Sequence, residues 1–304
     1  MTCPGQSDER GNGVRDLSVV TGLPARVFPE FGPELGTEQT TIGTGQSELL
    51  SVCVSVDYPG KPDILRQVVF SMQPGEVLGL VGQSGSGKST LALTVLGLLG
   101  LKGGVAKGQV WFRGRDLMRL KEREMRRVRG REIGLVLQSP LSSLNPALRI
   151  GTQLDEAWKA HRNGSRQERK QAFLELLGKL SLPAEESFLR RFPRQLSVGQ
   201  AQRMLIAQAI LHRPALLIAD EPTSALDVIT QSEIIQLFGR LNSELNMGLL
   251  YISHDLLSVA SLCHRVAILH EGQIVECRAR DQIFRNPQHP YTRRLIEALP
   301  KTAL

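Results

Sequence analysis

From residue 50 onward, Leu50, Val52, Val54 and Val56 alternate with small or polar residues, a period of two that predicts a half-buried strand. Tyr58-Pro59-Gly60 then supplies a turn. Residues 64–72 and 77–81 predict two more strands, split by a turn at Gln73-Pro74-Gly75. The second is apolar enough to be buried on both faces, and it runs straight into a glycine-rich loop. After the loop, residues 88–99 repeat at helical spacing and close at Gly100, while 109–113 and 133–137 read as strands. From 149 to 191 the pattern changes to successive amphipathic helices rich in Leu, Glu, Lys and Arg, which predicts a helical subdomain inserted into an α/β core. Strands at 215–219, 248–252, 266–269 and 273–276 follow, with a helix over 228–245 between the first two. No internal repeat is visible, so a single unit of this kind is expected.

Composition narrows this picture modestly. A chain of 304 residues with 41% hydrophobic content can bury a substantial core, and 5% aromatic residues with 29 glycines suit an α/β protein better than a β-sandwich. A formal charge of +7 is compatible with nucleic acid, an anionic membrane face or phosphate ligands. The densest basic stretch, residues 113–131, also holds Asp116, Glu122 and Glu124 and has few aromatics to stack on bases, so it predicts a solvated helical face. Cys3, Cys53, Cys263 and Cys277 are scattered without C-x-x-C spacing, which indicates neither a metal knuckle nor a disulfide framework and suits a reducing cytosol. No run approaches the roughly 20 apolar residues that cross a bilayer. Residues 1–47 lack a basic n-region and an uninterrupted apolar h-region, so a flexible extension is expected in place of a secretory signal.

The chemistry begins at Gly82-Gln83-Ser84-Gly85-Ser86-Gly87-Lys88-Ser89, which fits G-x-x-x-x-G-K-[ST] between a buried strand and a helix. Glycines there let backbone N–H groups turn inward around phosphate oxygens, and the helix amino terminus adds its positive end. Lys88 would reach the β- and γ-phosphates, and Ser89 would ligate Mg²⁺. A phosphate site also needs a carboxylate for the metal and a base for the attacking water. Asp220 and Glu221 supply both at the end of the apolar strand 215–219. Gln138 ends the strand 133–137 and His254 follows 248–253, so both can point into the same crevice. His254 is expected to sense or stabilise γ-phosphate charge, and Gln138 to bind Mg²⁺ or orient water.

In this order, the glycine loop, Gln138, Leu196-Ser197-Val198-Gly199-Gln200, Asp220-Glu221, Ser224-Ala225-Leu226-Asp227 and His254 resemble the ATP-binding cassette ATPase family over roughly residues 49–299. The resemblance implies an α/β fold: a P-loop NTPase ABC cassette with a mixed β core and an inserted α-helical subdomain. Its implied boundaries are 48–285 for the cassette, about 146–212 for the insert and 286–304 for a carboxyl segment. It implies ATP and Mg²⁺ as ligands. Gly82, Ser84, Gly85, Gly87, Lys88, Ser89 and Thr90 would contact the nucleotide, with Ser89, Gln138 and Asp220 at the metal and Glu221, His254 and Gln138 in catalysis. Ser197, Gly199 and Gln200 belong to a signature that, in the family, reaches across a dimer to the partner's phosphate loop, and Asp227 matches an interface aspartate. Val198 stands where that signature usually has glycine, and a branched residue there would hinder the loop if its backbone needed a positive φ. Tyr58 matches the aromatic that stacks on adenine, although a surface turn tyrosine beside Pro59 fits the residues equally.

Two further segments resemble oligopeptide, dipeptide and nickel importers: Gln138-Ser139-Pro140-Leu141-Ser142-Ser143-Leu144-Asn145-Pro146, and Asn286-Pro287-Gln288-His289-Pro290-Tyr291-Thr292 with a helix over 293–299 behind it. By composition alone the latter is a helix start with proline near its first position. Some relatives carry an iron–sulfur cysteine cluster in this region, which the single Cys277 cannot supply. The implied function is the ATP-hydrolysing subunit of an ABC importer of oligopeptides or dipeptides. The alternatives are import of nickel or another small solute, a soluble cassette ATPase of a non-transport complex, or nucleotide binding without turnover. Implied partners are a second cassette, identical or homologous, integral membrane permease subunits and, indirectly, an extracytoplasmic solute-binding protein, with no nucleic acid. The implied location is peripheral, on the cytoplasmic face of the plasma (inner) membrane.

Overall fold

The structure, a computed structural model, describes residues 48–299, so the extension expected over 1–47 lies outside the described residues. Strands β1 (Leu50–Tyr58), β2 (Lys61–Met72), β4 (Val105–Phe112) and β5 (Arg115–Asp116) form an antiparallel sheet in the order β2-β1-β4-β5. The period-two pattern does what it predicts: Val52, Val54 and Val56 are buried while the residues between them are less so. Strands β3 (Val77–Val81), β6 (Ile133–Val136), β7 (Leu216–Asp220), β8 (Gly248–Ser253), β9 (Arg265–His270) and β10 (Gln273–Ala279) form the second sheet, ordered β10-β9-β3-β8-β7-β6. It is parallel except for β10, which returns antiparallel along β9.

Alternation along the parallel strands splits the core in two. Leu78, Leu80, Leu216, Ile218, Leu250 and Ile252 join a cluster shared with the antiparallel sheet and with Leu91, Ala92 and Val95 of helix α1 (Lys88–Val95). Val77, Val81, Leu217, Ala219, Leu249 and Tyr251 face the other cluster, which holds buried residues of the helices that follow β6. Helix α1 stops at Val95, short of the expected 99. Gly97 turns left-handed at φ 61°, and Arg129 donates to the carbonyls of Leu96 at 2.7 Å and Gly97 at 3.1 Å, satisfying the helix end from outside. Arg129 follows α2 (Glu122–Val128), whose Met125 and Val128 are buried while its arginines stay exposed, the solvated face that the basic stretch predicts.

Five helices fill the connection from β6 to β7: α3 (Pro140–Ser143), α4 (Ile150–Lys159), α5 (Arg166–Lys179), α6 (Glu186–Leu189) and α7 (Val198–Ile210). Ile150, Leu154 and Trp158 recur every fourth position along α4 and are buried, with Trp158 edge-on to Phe173 of α5 at 6.0 Å. The chain closes with α8 (Val228–Leu245), α9 (Leu256–Leu262), α10 (Arg280–Arg285) and α11 (Pro290–Glu297). Among the described residues, no helix is long and apolar enough to cross a membrane. The segments that follow β3, β6, β7 and β8 carry the glycine loop, Gln138, Glu221 and His254, all at the carboxyl ends of parallel strands.

Candidate nucleotide-phosphate site

The loop from β3 to α1 is shaped by close approach. Gly82 passes the Leu269 carbonyl of β9 so tightly that a Cβ would lie 2.3 Å from that oxygen. Gly87 caps α1 with φ 104°, a conformation that L side chains rarely adopt. Ser84 and Gly85 are exposed on the loop between them, and Thr90 lies in the first turn of α1. Lys88 is only 5% exposed, and its ammonium donates to the carbonyls of Gly82 at 2.8 Å and Gln83 at 2.9 Å. Burial pulls the Lys88 pKa down, and the nearby Glu221 and Asp220 carboxylates oppose that.

Glu221 is where the predicted catalytic residues meet. Its Oε2 accepts a hydrogen bond from Gln138 Nε2 at 2.9 Å and lies 3.3 Å from His254 Nδ1, and its Oε1 is 3.8 Å from Lys88 Nζ. Residues from the segments that follow β3, β6 and β8 thus converge on a carboxylate that follows β7. Its backbone takes φ 47°, unusual for a non-glycine residue, and is pinned by donation from its N–H to the Ile252 carbonyl at 2.9 Å.

Asp220, one residue earlier, has a buried Oδ1 with no hydrogen-bond partner among the described residues. Burial raises its pKa, a hydrogen bond with Ser89 opposes the rise and Glu221 adds to it. A buried, unsatisfied carboxylate oxygen beside a serine hydroxyl at a phosphate loop suits a hard divalent cation. Mg²⁺ takes one or two protein oxygens and otherwise phosphate and water, so Ser89 and Asp220 fit it. Tyr58 closes the β1–β2 hairpin opposite Lys61, its ring against Gly104. The same hairpin brings Leu65 and the Ile64 carbonyl against Gly87, so Tyr58 belongs to the element that covers the start of α1.

Residues 65–224, more than half of the chain, match the ABC transporter family. The chain belongs to that family. A second match, to the oligopeptide/dipeptide transporter C-terminal region, covers residues 275–303 and so begins in β10, upstream of the segment expected at 286. The dipeptide transport ATP-binding protein DppD of Escherichia coli (strain K12) is 44% identical over 237 residues, which cover 78% of this chain and 72% of that one. The oligopeptide transport ATP-binding protein OppD of Bacillus subtilis (strain 168) is 41% identical over 244 residues, covering 80% and 68%. Among solved structures, the ATP-binding cassette MJ0796, a dimer in a post-hydrolysis state bound to ADP and Pi, aligns with a TM-score of 0.65 at 29% identity over 76% of this chain and 98% of that one.

In this ABC transporter chain the signature residues stand apart from the phosphate loop, in a cleft lined by Ser197, Val198, Gly199, Gln200, Asp227 and Thr230. Ser197 caps α7: its hydroxyl accepts from the Gln200 N–H, and the Gln200 side chain accepts from the Ser197 N–H, both at 3.2 Å. Val198 is the first residue of α7, exposed and absent from the positive-φ positions, so the backbone makes no demand there that valine resists. Asp227 caps α8, accepting from the Thr230 N–H at 3.0 Å, which holds its carboxyl below the usual range.

Two residues near the site escape the sequence pattern. Asp255 caps α9 immediately after His254 and accepts from Gln231 of α8 at 2.7 Å, steadying the turn that carries the histidine. An Asp ahead of an apolar helical run is itself an N-cap signal that could have found it. Tyr291 of α11 is buried with its hydroxyl facing the Gln83 backbone N–H of the phosphate loop. Nothing local to residues 286–292 announces that contact.

Proposed function

We propose that this chain is the ATP-hydrolysing subunit of an ABC importer of oligopeptides or dipeptides. The observation that carries the hydrolytic part is the convergence of Lys88, Gln138 and His254 on Glu221, next to the unsatisfied oxygen of Asp220. Lys88 and the loop N–H groups hold the β- and γ-phosphates of ATP. Glu221 takes the proton from a water whose oxygen attacks the γ-phosphorus, and the bond to the bridging oxygen breaks with its electron pair leaving on ADP. Gln138 orients that water or the metal, and His254 keeps Glu221 aimed and stabilises charge on the departing phosphate. Mg²⁺ held by Ser89 and Asp220, with Gln138 near it, would offset charge on the β- and γ-oxygens.

Ser197, Gly199, Gln200 and Asp227 act on the nucleotide of a second cassette, identical or homologous. Nucleotide that binds both faces at once favours the closed pair, and hydrolysis releases it. Tyr58 stacks on adenine. The permease docks at the segment 138–146 and the helices behind it, where Leu141 is 46% exposed and Leu137, just ahead of the segment, 43%. A permease docked there would hold the subunit peripherally on the cytoplasmic face of the plasma membrane. Peptide as solute rests on the relatives' names and on the match over 275–303.

The test is co-purification of the tagged chain from its own cell after detergent extraction. Integral membrane subunits together with peptide uptake that fails when Lys88 is replaced are the expected result. Recovery with nucleic acid or soluble enzymes alone would overturn it, and nickel uptake in place of peptide would overturn the solute.

A further inference from the structure

The carboxyl-terminal segment is tied to the sheet through Glu276 and braced by its own hydrogen bonds around Tyr291. Glu276 of β10 is buried, and its two carboxylate oxygens accept from the backbone N–H groups of Gln288 at 3.0 Å and His289 at 3.1 Å. His289 then caps α11, its Nδ1 accepting from the Tyr291 N–H at 3.2 Å, and Arg293 donates back to the Pro287 carbonyl at 3.0 Å. Thr292 beside it is wholly buried. The chain path therefore leaves the Tyr291 ring little choice of position.

That position is against the phosphate loop. The ring stacks on His270 with centroids 3.7 Å apart and planes 13° from parallel, and it is 4% exposed. His270 ends β9 directly after Leu269, whose carbonyl presses on Gly82. The Tyr291 hydroxyl is buried and completes no hydrogen bond of ordinary geometry among the described residues, yet it faces the Gln83 N–H. On its other side Gln83 is already held, since its carbonyl accepts from Lys88 Nζ at 2.9 Å and from the Ser86 N–H at 3.1 Å. A buried hydroxyl left short of a partner is costly and calls for a reason. A phosphate loop that tightens around its ligand would supply the missing bond.

We propose that Tyr291 is a positioning residue for the phosphate loop: its hydroxyl accepts the Gln83 N–H when nucleotide is bound, so the carboxyl-terminal segment clamps the cradle that holds Lys88. This rests on the nucleotide site described above. The bond belongs to the nucleotide-bound loop and is missing from the free one, so it adds to nucleotide affinity as a contact made in only one of the two states.

Tyr291→Phe tests it, because the ring and its stacking stay and only the hydroxyl leaves. A fluorescent ATP analogue with Mg²⁺ is expected to bind the full-length variant about two- to tenfold more weakly, the value of one hydrogen bond. KM for ATP should rise by a similar factor while kcat changes less. The nucleotide-free variant should melt at or above wild type, because an unsatisfied buried hydroxyl is gone, and should gain less Tm on adding nucleotide. Glu276→Gln, which weakens the anchor with Tyr291 intact, should shift affinity the same way. A lower Tm without nucleotide combined with unchanged affinity would mean that the hydroxyl only supports packing, and would overturn the proposal. So would equal affinity and equal Tm. If wild type itself fails to bind the analogue, the site reading falls and the clamp with it; if wild type binds and Tyr291→Phe binds as well, the clamp alone falls.

Discussion

Replacing Glu221 with glutamine separates hydrolysis from binding, because glutamine keeps the shape and removes only the charge and the proton acceptor. Glu221 meets Gln138 at 2.9 Å, His254 at 3.3 Å and Lys88 at 3.8 Å. Losing a positioned general base slows a reaction by about 10²- to 10⁴-fold, or about 3 to 5 kcal/mol at the transition state. Binding moves the other way. At 3.8 Å and an effective dielectric of about 20, the Lys88–Glu221 attraction is about 4 kcal/mol before desolvation is counted. Glu221 therefore competes with phosphate for Lys88 and repels the γ-phosphate directly. Glu221→Gln should bind ATP as tightly as wild type or more so, while kcat for phosphate release falls by at least about a hundredfold. Steady-state phosphate release gives kcat, and equilibrium titration with a fluorescent ATP analogue gives affinity. A kcat within about threefold of wild type would refute the role assigned to Glu221, and so would a loss of affinity as large as the loss of kcat/KM.

Val198→Gly should leave ATPase activity similar or higher, and should cost α7 at most about 0.5 kcal/mol of stability, because Val198 occupies an exposed helical position. A large loss of phosphate release would show that valine is required there. Asp220→Asn should leave the nucleotide-free protein melting at or above the wild-type temperature, since the burden of a buried unsatisfied carboxylate is relieved. The same variant should lose the Mg²⁺-dependent part of the rise in Tm on adding ATP, and persistence of that rise in a thermal scan would remove Asp220 from the metal site.

The phosphate loop was legible because it is contiguous: a strand with two buried faces, glycines at fixed offsets and a helix start all lie within a dozen residues. The Asp220-Glu221 pair was legible for the same reason, as polar residues ending an apolar run. Period-two and helical spacing likewise placed most elements, since burial of one face is what writes those patterns into a chain. The end of α1 was not legible, because Gly97 and Gly100 are equivalent stop signals in sequence and the choice between them came from the distant Arg129 guanidinium. The helical position of Val198 was within reach of the sequence, since Ser197 and Gln200 stand at capping-box spacing and do cap each other.

The sequence by itself determined the inventory of the site and the type of each element around it, because those follow from local spacing. Only the tertiary structure decided that Lys88, Gln138 and His254 share the Glu221 carboxylate, that the signature lines a separate cleft, and that Tyr291 faces Gln83. These residues lie far apart along the chain. They meet because parallel strands end on one edge of a sheet, and because a buried glutamate draws the carboxyl-terminal segment back across it.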